Sequence, residues 1–108
     1  MEKVTSIVLN SLAIGDCVEF RTVHSQYRFW LEFPEQAVGV LFGGKLPGPT
    51  RVRLSAESTS ATDAPLRPIH PGEHARIVLL SPDGMAVRCF VTSKIAEIRI
   101  VRNGRAAA

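Results

Sequence analysis

At 108 residues the chain has the length of one domain, long enough to bury roughly 65% of the surface its unfolded form would expose, so folding requires no disulfide framework or metal staple. Thirteen basic residues against ten acidic ones leave a net charge of +3, too mild an excess to mark a nucleic-acid binder by itself. No stretch approaches the roughly 20 apolar residues of a membrane span, and residues 1–10 lack the apolar run and small-residue cleavage site of a signal peptide, which predicts a cytoplasmic protein without a membrane anchor. Cys17 and Cys89 each fall in an apolar, strand-like segment and read as buried free thiols rather than as a disulfide pair.

Ala13-Ile14-Gly15-Asp16 is a turn that leads into residues 17–23, where Val18, Phe20 and Thr22 share one face and Glu19 and Arg21 the other. After His24-Ser25-Gln26, residues 27–33 put Tyr27, Phe29, Leu31 and Phe33 inward and Arg28, Trp30 and Glu32 outward. The short separation of the two runs predicts a hairpin. Residues 37–42 form a third, largely apolar strand ending at Gly43-Gly44, and residues 51–54 a fourth with strict alternation. Residues 55–65, rich in Ser, Thr and Ala, read as a long mobile surface loop. Residues 73–80 and 85–92 flank the turn signal Ser81-Pro82-Asp83-Gly84 as a second hairpin, and residues 96–102 make a final strand with Ala96, Ile98 and Ile100 on one face.

Six or seven short strands without crossover helices must bury one apolar face by closing on themselves or by sandwiching. A single all-β domain over residues 1–105 follows, a small antiparallel barrel with a sandwich as the alternative, and residues 106–108 as a frayed tail. Ile14-Gly15-Asp16 before Val18 and Phe20 echoes Pro71-Gly72-Glu73 before Ala75 and Ile77, as in a duplicated turn-to-strand unit. The basic C-terminal set Arg88, Lys94, Arg99, Arg102 and Arg105, opposed by Glu97 alone, reads as solvated faces that keep exposed strands from pairing with other chains.

Thr22-Val23-His24-Ser25-Gln26-Tyr27, Gly43-Gly44, Ile69 with Gly72, and Thr92-Ser93-Lys94-Ile95 resemble, in that order, the motifs of a family of short uncharacterised bacterial all-β proteins. That family carries Thr-x-Asn-Ser-x-Tyr, Gly-Gly and Thr-Ser-Pro-Val-type segments. The resemblance spans residues 18–100 and departs at His24, where the family has Asn, and at Lys94, where it has Pro. It implies the fold and assigns no activity.

Three motifs fail as catalytic or ligand signatures. Residues 39–45 match the Gly-x4-Gly-Lys spacing of a phosphate loop, but Leu46 stands where a Ser or Thr must hold magnesium and Pro47 discourages the helix that should face the phosphate. His70-Pro71-Gly72-Glu73-His74 matches a His-x-x-Glu-His zinc signature, yet Pro71-Gly72 breaks the helix that would align its ligands. Ser25 and Ser93 lie outside any nucleophile elbow, and with Thr22 and Thr92 they read as strand-end hydroxyls that satisfy turn backbone. Neither a catalytic residue, a metal nor a cofactor is expected.

What remains is contact surface. Trp30 points outward beside Arg28 and, on the expected register, across from Arg21, giving an aromatic face flanked by two guanidinium groups. Such a face suits a subunit interface, where Trp and Arg are favoured anchors. The expectation is a non-enzymatic interaction module or homo-oligomeric structural unit, with a protein partner possible in the first case. The alternative is a single-stranded nucleic-acid or anionic-ligand binder using Trp30, Arg21, Arg28, Arg51 and Arg53.

Overall fold

Alternating burial in the first hairpin sets the architecture. In the computed structural model, which describes residues 2–57, 59–60 and 62–102, Val18, Phe20 and Thr22 of strand β2 (Cys17–Thr22) are buried. Tyr27, Phe29 and Leu31 of β3 (Gln26–Phe33) lie on the same side. The expected domain end at 105 and tail at 106–108 lie outside the described residues. The other strands are β1 (Glu2–Val4), β4 (Val38–Gly43), β5 (Thr50–Ala56), β6 (His74–Leu80) and β7 (Ala86–Val101). They form one antiparallel sheet in the order β1-β7-β2-β3-β4-β5-β6, and β6 pairs again with β7, so the sheet closes into a ring. The all-β expectation holds, and barrel and sandwich descriptions are both compatible with the ring.

The interior is filled from every strand of that ring: Phe29, Leu41, Val52 and Ile77 have no exposed surface, and Val18, Leu31, Leu54 and Ile98 have about 1%. Each such side chain contributes about 1.5–3 kcal/mol through burial. The segment after β1 and the residues before β6 add Ile7, Leu9, Leu12, Ala64 and Ile69 to the same core. They are tied together by Ile7 N–H to Ile69 O (2.9 Å), Ile69 N–H to Ile7 O (2.8 Å) and Asn10 N–H to Pro65 O (3.1 Å). The proposed long loop is thereby shortened: Ser55 and Ala56 belong to β5, and Ala64 and Pro65 are buried.

The two C-terminal strands expected from the sequence are one. β7 runs 16 residues and serves two neighbours, pairing with β6 from Ala86 to Lys94 and with β2 from Ile95 to Val101. Register shifts opposite Arg21/Thr22 and His74/Arg76 let it change partner, so Ile95 joins Ile98 and Ile100 in the core while Ala96 turns out to solvent. β1 covers the other edge of β7 at residues 98–100. The duplicated turn-to-strand unit has a geometric counterpart, since Gly15 (φ +91°) and Gly72 (φ +96°) each take the left-handed turn that precedes β2 and β6, both of which pair with β7.

Candidate functional site

The β2–β3 turn is tighter than the sequence spacing implied. Thr22 N–H donates to Ser25 O (2.8 Å) and Ser25 N–H to Thr22 Oγ1 (3.1 Å), so Arg21 pairs with Gln26, Glu19 with Arg28 and Cys17 with Trp30. The shift from the expected register is an even number of residues, so it preserves the faces, because side chains alternate with period two, but it changes the neighbours. Trp30 does point outward, 44% exposed, with Arg28 beside it. Arg21 is not across from Trp30, which faces Cys17 instead. Arg21 lies beyond Glu19, in a neighbouring cleft of about 280 Å³ with Glu97 and Arg99 that shares Glu19 and Gln26 with the Trp30 side, and makes a 3.4 Å ion pair with Glu97.

The neighbours of Trp30 come instead from β4. Val40 pairs with Trp30 and Phe42 with Arg28, so Trp30, Arg28 and Phe42 line an open cleft of about 470 Å³. Phe42 is 37% exposed. Phe33, expected inside, is 46% exposed because the register shifts between Leu31 and Phe33 and turns it onto the outer side. Val40 also pairs with Arg51 of β5, which places Arg51 on this face, and Arg53 follows opposite Val38. Val40 and Phe42 escape a sequence reading because the apolar run 38–42 offers no alternation from which to phase the strand.

The charges on this face are matched. Arg28 Nε lies 3.0 Å from Glu19 Oε2, and Arg51 meets Glu32 in a two-point contact, Nε to Oε1 at 3.0 Å and Nη2 to Oε2 at 3.4 Å. Beyond Glu19, Glu97 is held below the usual carboxylate range, chiefly by its hydrogen bond from Arg99, with Lys3 and Arg21 adding. Arg53 is half-buried and makes no ion pair among the described residues. The face is therefore aromatic at its centre, with the Arg28 and Arg51 guanidinium groups held by carboxylates and Arg53 alone without an ion pair among the described residues.

The dismissed motifs fall where turn chemistry puts them. Residues 39–43 are strand, and Gly43 and Gly44 close the turn against β3. Glu73 accepts from the His70 backbone N–H (3.3 Å), and the His74 ring contacts Thr92 O (2.7 Å). Among the described residues no cluster of His, Cys, Asp or Glu is placed to hold a metal ion, and no helix is long and apolar enough to cross a membrane.

The segments that carried the family resemblance meet at one end of the ring. Gly44 N–H donates to Gln26 O (3.3 Å), Val23 N–H to Lys94 O (3.2 Å) and Gly72 N–H to Ile95 O (2.8 Å), while Thr92 Oγ1 accepts from Ala75 N–H (3.1 Å). Four motifs distant in sequence thus join the ends of four strands. No protein-family model, no curated protein and no solved structure matches the chain.

Proposed function

We propose that this chain is a non-enzymatic, homo-oligomeric interaction module of the cytoplasm, in which a second copy docks on the outer face of β3 and β4. The observation that carries this reading is the exposed set Trp30, Phe42 and Phe33, set among the Arg28–Glu19 and Arg51–Glu32 pairs. Alternating Arg and Glu across neighbouring strands make the face complementary to itself, since a copy turned about a two-fold axis can set Arg against Glu. A standard interface takes about 800 Å² from each partner, a small share of the 6180 Å² that this chain exposes. The non-enzymatic part is supported by the hydroxyls of Thr22 and Thr92, which are engaged with backbone groups rather than presented to solvent. The free state of both thiols supports the cytoplasmic placement. Membership of the short bacterial all-β family belongs to the same proposal.

The test is light scattering behind a size-exclusion column at low salt, with absorbance read at 260 and 280 nm, on the wild type and Trp30→Ala. The expected result is an oligomer free of excess 260 nm absorbance whose mass falls in the variant. A monomer that carries nucleic acid and sheds it as salt rises would overturn the reading in favour of a polyanion site.

A further inference from the structure

The first half of β7 has one neighbour where a ring strand has two. Residues 86–94 pair with β6, and β2 joins only at Ile95, with Val23 N–H bonded to Lys94 O at the boundary. Among the described residues, the edge of residues 86–91 opposite β6 carries no strand. It is apolar as well as open: Val87 is 70% exposed, Met85 65% and Val91 43%, and Cys89 is exposed too, contrary to its expected burial. The basic residues expected to guard such an edge do so poorly, because Arg88 is the only charge between Met85 and Thr92. A long apolar edge of this kind is a template for a further strand.

We infer that this edge pairs antiparallel with the same edge of a second copy, with Cys89 facing Cys89 across a two-fold axis. A strand that fits must be extended, largely apolar, free of proline and open on its own edge, which describes residues 86–91 themselves. Symmetry and charge then select the register. A two-fold axis normal to the sheet must pass through a residue facing its own copy. Centring on Arg88 sets two guanidinium groups directly opposite each other, which is repulsive. Centring on Phe90 brings Ala86 of the copy opposite Lys94, whose carbonyl already accepts from Val23. Centring on Cys89 places Val87 against Val91 and Arg88 against Phe90, an apolar pair and a cation–aromatic pair, and clears Val23. The contact is separate from the Trp30 face and rests on a different observation.

Two experiments on the full chain test it. The first is crosslinking by diamide, which takes up the two protons and two electrons released as two Cys89 thiols become one disulfide. Wild type is expected to form a covalent dimer about tenfold or more faster than Val87→Cys or Val91→Cys, each in a Cys89→Ser background. In this register those positions lie about 13 Å from their own copies, beyond the roughly 4.4–6.8 Å Cα separation that a disulfide spans. Equal rates at all three positions would overturn the register and the inference with it.

The second experiment compares molar mass for Cys89→Lys, Cys89→Ser and Trp30→Ala, with circular dichroism confirming the fold. Like charges at the axis are expected to weaken the edge contact about a hundredfold or more, whereas Cys89→Ser leaves it intact. Dissociation by Cys89→Lys with Trp30→Ala unchanged supports the edge contact and removes the face reading. Dissociation by Trp30→Ala with Cys89→Lys unchanged does the reverse, and a wild-type monomer at high concentration removes both.

Discussion

Gly44 lies against the ring of Tyr27: a Cβ built there would stand 2.5 Å from Tyr27 Cε1 and 2.6 Å from its Oη. Gly44 also holds φ +58°, in the left-handed region that favours glycine. The ring cannot retreat freely, because Tyr27 is buried and stacks on Phe20 with centroids 5.0 Å apart. Gly44→Ala is therefore expected to cost about 1–3 kcal/mol by overpacking. Thermal unfolding should show this as a loss of about 4–8 °C for each kcal/mol. An unchanged melting temperature would mean that the Tyr27 ring shifts at no cost.

Thr92 gives a prediction about polar burial. Its Oγ1 accepts from the backbone N–H of Ala75, a residue with no exposed surface, and donates to Ser93 O (2.7 Å). Thr92→Val keeps the shape and leaves the Ala75 N–H without its partner, at an expected cost of about 1–3 kcal/mol. Thr92→Ser retains the oxygen and is expected to lose less. Chemical denaturation of the two variants checks this, and equal losses would show that the methyl group contributes as much as the hydroxyl.

These two positions also show what the chain's sequence discloses and what it hides. β2 and β3 are legible because one face of each is buried and the other wet, so Val18 and Phe20 alternate visibly with Glu19 and Arg21. The pairing between them is not legible, since a register offset by an even number of residues leaves that alternation unchanged and gives Arg21 the partner Gln26 in place of Trp30. β7 reads as two strands because Thr92-Ser93-Lys94 looks like a terminator. In the fold those residues are the irregular stretch where the strand changes neighbour, and Thr92 replaces a ladder bond with its own hydroxyl. β1 escapes because three residues against one edge of β7 carry too little pattern. The Trp30 half of the candidate face is thus visible in advance. Its Val40 and Phe42 half, and the open edge at residues 86–91, depend on pairings that no local pattern encodes.

The matched charges around Trp30 lead to a prediction about selectivity. If Glu19 and Glu32 hold Arg28 and Arg51 away from polyanions, Glu19→Gln with Glu32→Gln releases two guanidinium groups beside an exposed indole. The double variant is expected to gain affinity for a single-stranded oligonucleotide at low salt. Its salt slope should steepen by about 0.7 for each phosphate newly contacted, measurable by fluorescence anisotropy. Stability should change by less than about 1 kcal/mol for the Arg51–Glu32 pair, because ion pairs so open to solvent contribute little. A variant that binds no better than wild type would show that these carboxylates do not govern what the face accepts.

Cys17 contributes an alkaline sensitivity to the fold. It is 3% exposed, and burial above all, with the nearby charge of Glu19, pushes its thiol from an ordinary 9.0 up to about 11. The folded chain thus holds this proton more tightly than the unfolded chain. The resulting stability is fully present below about pH 9 and is lost as pH rises toward 11, because the unfolded state ionises first. Denaturation midpoints at pH 7, 9 and 11, with Cys17→Ala as reference, isolate this contribution: wild type should lose its advantage over the variant only across the upper interval. In a Cys89→Ser background the native protein should also resist a thiol reagent at neutral pH and become labelled on unfolding. Rapid labelling of the folded chain would show that β2 opens locally beside Trp30, and would identify that edge of the face as mobile rather than packed.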